Sequence, residues 1–420
     1  MFGDALRARF SAAALTRSFS SLRVQAYRRW SLAQFLSGSG GAAALVAVAW
    51  LVVELGGDGL ALGIVTASMM LPTLVLGPFA GALVDRFPRR SVLILTAAAQ
   101  LAVAAALAVL TLGGWVQLWS LFALSLAQGL AFAIDNPARQ LLVMDVVGRE
   151  RMTSAVSMNE VVINGSRVFG PAVAGSLLVF ADPGWCFVFN ALVFVPSILV
   201  LRSLRVGPMS NAAATGARPQ VEASAVQTTE RAPAPWRFAA GTAPIRSTLL
   251  LAVCAAAAFN IPVVMPLMVS DVFGAGGGTY GALAVAFGLG ALPGAVFSAT
   301  GPVMPRSEEV RALAVALALA VVLSAAAPTI AVLFVGTAIV GAMSMWFIAR
   351  ANAFVMLTAP VAIRGRVMGI WAMALPGSTV VTGLAVGALT DFAGPRAAYA
   401  AIGVLTAVVA LTSWRALRST

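Results

Sequence analysis

Three polar side chains stand inside one long apolar run, where residue type and spacing bear on chemistry: Glu160, Asn164 and Arg167, within residues 154–180. On a helix, seven residues make nearly two turns, so Glu160 and Arg167 share a face and Asn164 lies between them, with Asn159 beside Glu160. Counted from Ser154 at about 1.5 Å per residue, Arg167 lies about 20 Å along the run. A carboxyl group in such surroundings can take up and release a proton; burial favours its neutral form and a nearby guanidinium its ionised form. Two readings stay open. Glu160 carries a proton while Arg167 tunes it or meets an anionic ligand group, or the three side chains satisfy one another as a structural network. The chain has no His, so proton movement would fall to carboxylates. Enzymatic chemistry is not expected. There is no Cys cluster, no Gly-x-Ser-x-Gly and no Gly-x-x-x-x-Gly-Lys, and no catalytic residue, metal site or cofactor is assigned.

The elements that must hold these residues are membrane spans. Of 420 residues 60% are hydrophobic and only 10% charged, and the mean hydropathy of +0.95 leaves too little polar surface for a water-soluble globule. Apolar runs recur at 31–55, 60–84, 91–112, 115–134, 154–180 and 184–201, and again at 247–272, 279–300, 310–327, 329–349, 367–390 and 397–414. Most are long enough to cross a hydrocarbon core of about 30 Å as helices. Between the two sets, the stretch from Arg202 to Arg246 is rich in Pro, Ala, Ser and Thr and reads as a flexible linker. The expected division is an N-terminal tail (1–30), a six-helix bundle (31–202), a linker (203–245), a second six-helix bundle (246–414) and a C-terminal tail (415–420).

The formal charge of +12 rests entirely on arginine, since there is no Lys. With both termini in the cytoplasm, 24 of the 27 arginines fall in the tails and the cytoplasmic loops, as the positive-inside rule requires. This scattering between apolar runs also argues against a nucleic-acid partner. Cys186 and Cys254 start from opposite membrane faces and are expected to be free thiols.

A weak repeat relates the two sets. Asp135-Asn136-Pro137 through Arg149-Glu150-Arg151 can be laid on Arg350-Ala351-Asn352 through Arg364-Gly365-Arg366 at an offset of 215 residues. The loop Gly81-Ala82-Leu83-Val84-Asp85-Arg86-Phe87-Pro88-Arg89-Arg90 resembles the loop between helices 2 and 3 of the major facilitator superfamily, with Pro88 where that pattern often has Gly. Gly170-Pro171 followed by Gly175 is similar to the fifth-helix Gly-Pro motif of its exporting members. With Asn136-Pro137-Ala138-Arg139-Gln140 and Arg364-Gly365-Arg366-Val367-Met368, these motifs resemble the branch of enterobactin, macrolide/multidrug and lysophospholipid exporters, over about residues 25–410. Ser125 stands where the superfamily has a fourth-helix arginine, a departure that puts more weight on Glu160.

The resemblance implies an all-α polytopic membrane protein with 12 transmembrane helices in two pseudo-symmetric six-helix bundles. It implies a proton-coupled exporter of an amphipathic organic compound, a drug, macrolide or siderophore, working by alternating access in the inner membrane. Expected partners are that small substrate, protons and membrane lipid, with the chain acting as a monomer. The alternatives are a lysophospholipid or other lipid transporter, and a non-transporting sensor or scaffold. The resemblance also implies a cytoplasmic latch of Gly81, Asp85, Arg86, Arg89, Arg90, Asp135 and Arg350, in which Asp85 meets helix 11 and Asp135 pairs with Arg86 or Arg89. Gln34, Met69, Asn260, Met265, Met343 and Trp346 are candidates for lining a broad cavity, methionine and aromatic surfaces being adaptable.

Overall fold

The computed structural model describes residues 20–84, 86–148, 151–204, 235–258, 260–300, 302, 304–360 and 363–413. The first half of the chain forms six helices: α1 (Gln25–Glu54), α2 (Gly59–Val84), α3 (Arg89–Leu112), α4 (Leu118–Val147), α5 (Met152–Phe180) and α6 (Gly184–Ser203). The second half forms six more. α7 is broken into Ala243–Ala258, Ile261–Leu267 and a π-helical turn, Met268–Val272. α8 (Gly277–Thr300), α9 (Ser307–Ala325) and α10 (Ile330–Thr358) follow, then α11 in the pieces Arg364–Ala372, Met373–Gly377 (π-helical) and Thr379–Ala393, and α12 (Pro395–Thr412).

Eleven of these spans are long and apolar enough to cross a membrane. The twelfth, α9, carries Glu308, Glu309 and Arg311 in its first turn. Two of these are acidic, which suits the positive end of the helix dipole. The chain is therefore a multi-pass membrane protein. Breaks follow local chemistry: Pro262 and Pro266 interrupt α7, and Gly394 at φ 83° makes the sharp corner between α11 and α12.

Packing repeats at an offset of six helices. α1 lies on α5 and α6, α2 on α4, and α3 on α4 and α6; correspondingly α7 lies on α11 and α12, α8 on α10, and α9 on α10 and α12. Glycines permit the closest approaches, since lipid gives no hydrophobic drive and association depends on backbone-level packing. A Cβ added at Gly290 or Gly294 of α8 would fall 1.8 or 2.1 Å from the Ala338 or Ala342 carbonyl oxygen of α10. Gly129 of α4 fits the Met69 carbonyl of α2 in the same way, at 2.2 Å. The halves themselves meet along two seams, α2 with α11 and α5 with α8, which are each other's image under the repeat.

Several boundaries differ from those read in the sequence. α1 begins six residues before position 31 because Tyr27 and Trp30 are buried, and the Tyr27 hydroxyl donates to the Ala155 carbonyl at 2.8 Å. Part of the expected linker is helical, at Pro235–Gly241, and α7 starts at Ala243. α4 and α10 continue past residues 134 and 349, because Asp135 and Arg350, which end the apolar runs in the sequence, are buried and paired rather than solvated. Residues 1–19 of the expected tail 1–30, residues 205–234 of the expected linker, and residue 414 with the expected tail 415–420 lie outside the described residues. Cys186 and Cys254 are free and buried.

Candidate functional site

Glu160, Asn164, Arg167, Pro171 and Gly175 follow one another at intervals of four, three, four and four residues, a single stripe along α5. One end of the stripe is clamped. A Cβ on Gly281 of α8 would lie 2.3 Å from the Gly175 Cα, and one on Gly278 would lie 2.2 Å from Val179. Farther along, Gly288 abuts the Arg167 carbonyl, at 2.9 Å for an added Cβ. Toward the other end Glu160 and Arg167 are exposed on α5, and Leu289, Leu292, Val296 and Phe297 on α8.

The second seam behaves alike. At its closed end Gly59 meets the Gly387 carbonyl and Gly63 the Gly383 carbonyl, at 2.6 and 2.8 Å for added Cβ atoms. Asp391 of α11 accepts hydrogen bonds there from the backbone N–H groups of Gly59 (2.5 Å) and Leu60 (2.8 Å) of α2. Toward the other end, Val75, Phe79 and Leu83 of α2 and Met373 of α11 are exposed. Trp50 of α1 stacks on Tyr280 of α8 with centroids 6.4 Å apart. The tight glycine contacts of both seams thus gather toward the arginine-poor end, and exposed side chains, Arg167 among them, follow toward the arginine-rich end.

Along the stripe, the Asn164 side chain donates to the Glu160 backbone carbonyl at 2.9 Å instead of bridging the two charges. Neither the Arg167 guanidinium nor the Glu160 carboxylate forms a hydrogen bond or ion pair among the described residues. Asn159 is half-buried. On the opposite half, Trp346 packs on Phe297 with centroids 5.4 Å apart, beside half-buried Met343. The first half of the chain thus offers a polar stripe on α5, and the second an aromatic and thioether cluster on α8 and α10.

The other candidates fall into fixed contacts. Gln34 is buried and accepts from Arg139, which also binds Asp135. Met69 is half-buried, and Asn260 is buried and donates to Thr382 Oγ1 at 3.0 Å. Met265 is fully buried in the core and does not line a cavity as expected: the break at Asn260 and the π-helical turn after Leu267 set the middle piece of α7 so that this side chain points into packing. Gly170 belongs to the α1 contact, where an added Cβ would lie 2.4 Å from the Ser39 carbonyl, and Pro171 lies within α5.

The expected latch is rearranged. Asp135 takes Thr96 Oγ1 (2.9 Å) and Arg139, one turn along its own helix, rather than Arg86 or Arg89. Arg89 instead pairs with Asp145 at 2.7 Å, reached because α4 extends beyond the membrane-length run. Arg90 donates to the backbone carbonyls of Leu201 (2.8 Å) and Arg202, tying α3 to the end of α6. Arg86 is exposed, Gly81 lies in α2, and Asp85 is outside the described residues. Arg350 is buried and forks onto Glu309 at 2.5 and 2.7 Å, with a third bond to the Pro302 carbonyl at 2.8 Å.

Sequence reasoning passed over Asp145, Glu309, Phe297 and Asp391. Of these, Asp145 and Glu309 had a signal, being acids near unmatched arginines at helix ends. No group of three His, Cys, Asp or Glu side chains able to hold a metal occurs among the described residues.

Comparison with known proteins agrees with this architecture. The chain is 27% identical over 379 residues to the multidrug efflux pump Tap of Mycolicibacterium fortuitum, covering 89% of this chain and 91% of that one. It is 28% identical over 152 residues to the staphyloferrin A transporter of Staphylococcus aureus, covering 36% and 38%, and 31% identical over 134 residues to an uncharacterized transporter of Bacillus subtilis, covering 32% and 31%. These last two matches span only about a third of either relative. The solved structure of the nucleoside transporter NupG superposes with a TM-score of 0.73 at 14% identity, over 94% of this chain and 100% of that one, a likeness of fold. The sequence model described as a transmembrane secretion effector matches residues 16–419, and with its spans packed as two six-helix bundles related by a repeat, the chain belongs to that family of major facilitator superfamily transporters.

Proposed function

We propose that this protein is a proton-coupled exporter of a small amphipathic organic compound, working by alternating access. The arginine-rich end faces the cytoplasm, with both termini there, and the chain spans the inner membrane as a monomer surrounded by lipid. The observation that carries the reading is the α5 stripe: an exposed carboxylate and guanidinium on one helix face, neither in an ion pair among the described residues, which the reading sets in a cleft between the halves. An arginine at that depth costs on the order of 3 kcal/mol even on lenient insertion scales, a cost that an anionic group of the cargo would offset. Glu160, two turns nearer the cytoplasm, takes up the counter-transported proton. The Phe297, Trp346 and Met343 wall receives the apolar body of the cargo. The activities that the similar proteins are named for, multidrug efflux and staphyloferrin A transport, are compatible with a cargo of this kind.

The reading separates coupling from binding. In inside-out vesicles with an acidic lumen, Glu160→Gln is expected to abolish uncoupler-sensitive accumulation of the transported compound. The same variant should keep exchange of labelled for unlabelled compound across the membrane, which needs no net proton movement. Accumulation that survives the substitution would remove Glu160 from the coupling step. Arg167→Gln is expected to weaken binding of anionic compounds by about tenfold or more, an amount equivalent to losing about 1.4 kcal/mol, while sparing neutral ones. Equal losses for both would assign Arg167 to packing.

A further inference from the structure

Among the described residues, Asp391 does something that no other charged group in the two seams is seen to do: it bonds one half of the chain to the other. Its two carboxylate oxygens accept from the first two backbone N–H groups of α2, at 2.5 and 2.8 Å, although the residues are more than 330 positions apart. The first N–H groups of a helix lack intrahelical acceptors and carry the positive end of its dipole, so a carboxylate is the matched partner. α2 does not depend on Asp391 for this service alone, because Asp58, at the start of the helix, already accepts from the Ala61 N–H at 2.8 Å. Around the Asp391 contact the backbones touch: Gly59 and Gly387 lie so close that a Cβ on Gly387 would fall 2.3 Å from the Gly59 carbonyl oxygen. The corresponding end of the α5–α8 seam has glycines and apolar side chains, Gly175, Val179, Gly278 and Gly281, at the contact.

We propose that Asp391 is the outer latch of the transport cycle, a carboxylate that grips the N-terminus of α2 while the outer side is shut and lets go when it opens. The proposal rests on alternating access and needs neither proton coupling nor any role for Glu160. Outward opening must draw the outer ends of α2 and α11 apart, which breaks both hydrogen bonds and strips the backbone contact at Gly59 and Gly387. Charge-assisted bonds of this kind bias the resting chain toward the state open to the cytoplasm.

The test uses the full chain in lipid nanodiscs, without cargo or gradient. Spin labels at Trp115→Cys and Pro328→Cys, exposed sites on the outer turns of opposite halves, report the outer opening once buried Cys186 and Cys254 are changed to Ala. In the parent chain the short distance should dominate. Asp391→Ala is expected to raise the ratio of long to short distances about tenfold, equivalent to about 1.4 kcal/mol. Asp391→Asn, which keeps one acceptor oxygen and loses the charge, should fall between, and it serves alone if the alanine variant does not fold. A folded variant whose distances match the parent, or one that melts at lower temperature without a change in distances, would show a local helix cap and overturn the latch.

Discussion

Glu309→Ala is expected to destabilise the protein by about 3 kcal/mol, because it leaves the buried Arg350 guanidinium without its carboxylate. Arg350 is only 5% exposed and directs its Nε and Nη2 at the two Glu309 oxygens, while Nη1 reaches the Pro302 carbonyl. Alanine removes two of these three bonds and the compensating charge together. The double variant Glu309→Ala with Arg350→Met should recover most of the loss, since an apolar chain of similar length needs no partner. Thermal melting of the purified proteins checks both statements. A single variant as stable as the parent would mean that water reaches Arg350.

The second large effect concerns the cycle rather than the fold. Gly281→Val should leave a folded protein whose transport falls about a hundredfold, because closure of the outer seam then costs nearly 3 kcal/mol more. At Gly281 even one added carbon would sit 2.3 Å from the Gly175 Cα and 2.6 Å from its N, and backbone cannot move aside as a side chain can. The α8–α10 packing through Gly290 and Gly294 lies elsewhere along the helix and keeps the bundle assembled. Gly276, with nothing within 4 Å of an added Cβ, supplies the control: Gly276→Val should transport normally. Initial rates in vesicles at matched protein levels decide it. Normal transport by Gly281→Val would mean that the seam need not close this tightly.

The twelve spans were legible because hydropathy and arginine placement are composition-level signals, and one residue more or less does not change them. Helix ends were harder. Asp135 and Arg350 look like membrane boundaries in a sequence, yet each is neutralised by a group distant in the chain or one turn away, Arg350 by Glu309 and Asp135 by Arg139, so the helices run on. The polar stripe of α5 could be named from spacing alone, since i, i+4 and i+7 share a face whatever the fold. What spacing could not tell was that the same stripe is pressed at Gly175 against Gly278 and Gly281 of α8. Met265 failed for a related reason: a broken helix loses the phase on which such counting depends. Asp391 was illegible because its meaning lies in Gly59 and Leu60, on a helix of the other half.

The central claim is that outward cargo movement and inward proton movement are one event. Purified protein reconstituted inside-out, with a pH-sensitive dye in an acidified lumen, allows that to be seen directly. A panel of amphipathic drugs, a catecholate siderophore and a lysophospholipid would be added outside in turn. At least one compound should alkalinise the lumen as it enters, in proportion to the amount taken up, and Glu160→Gln should abolish the pH change. Uptake of a compound into the lumen with no accompanying change in lumen pH would contradict proton-coupled export.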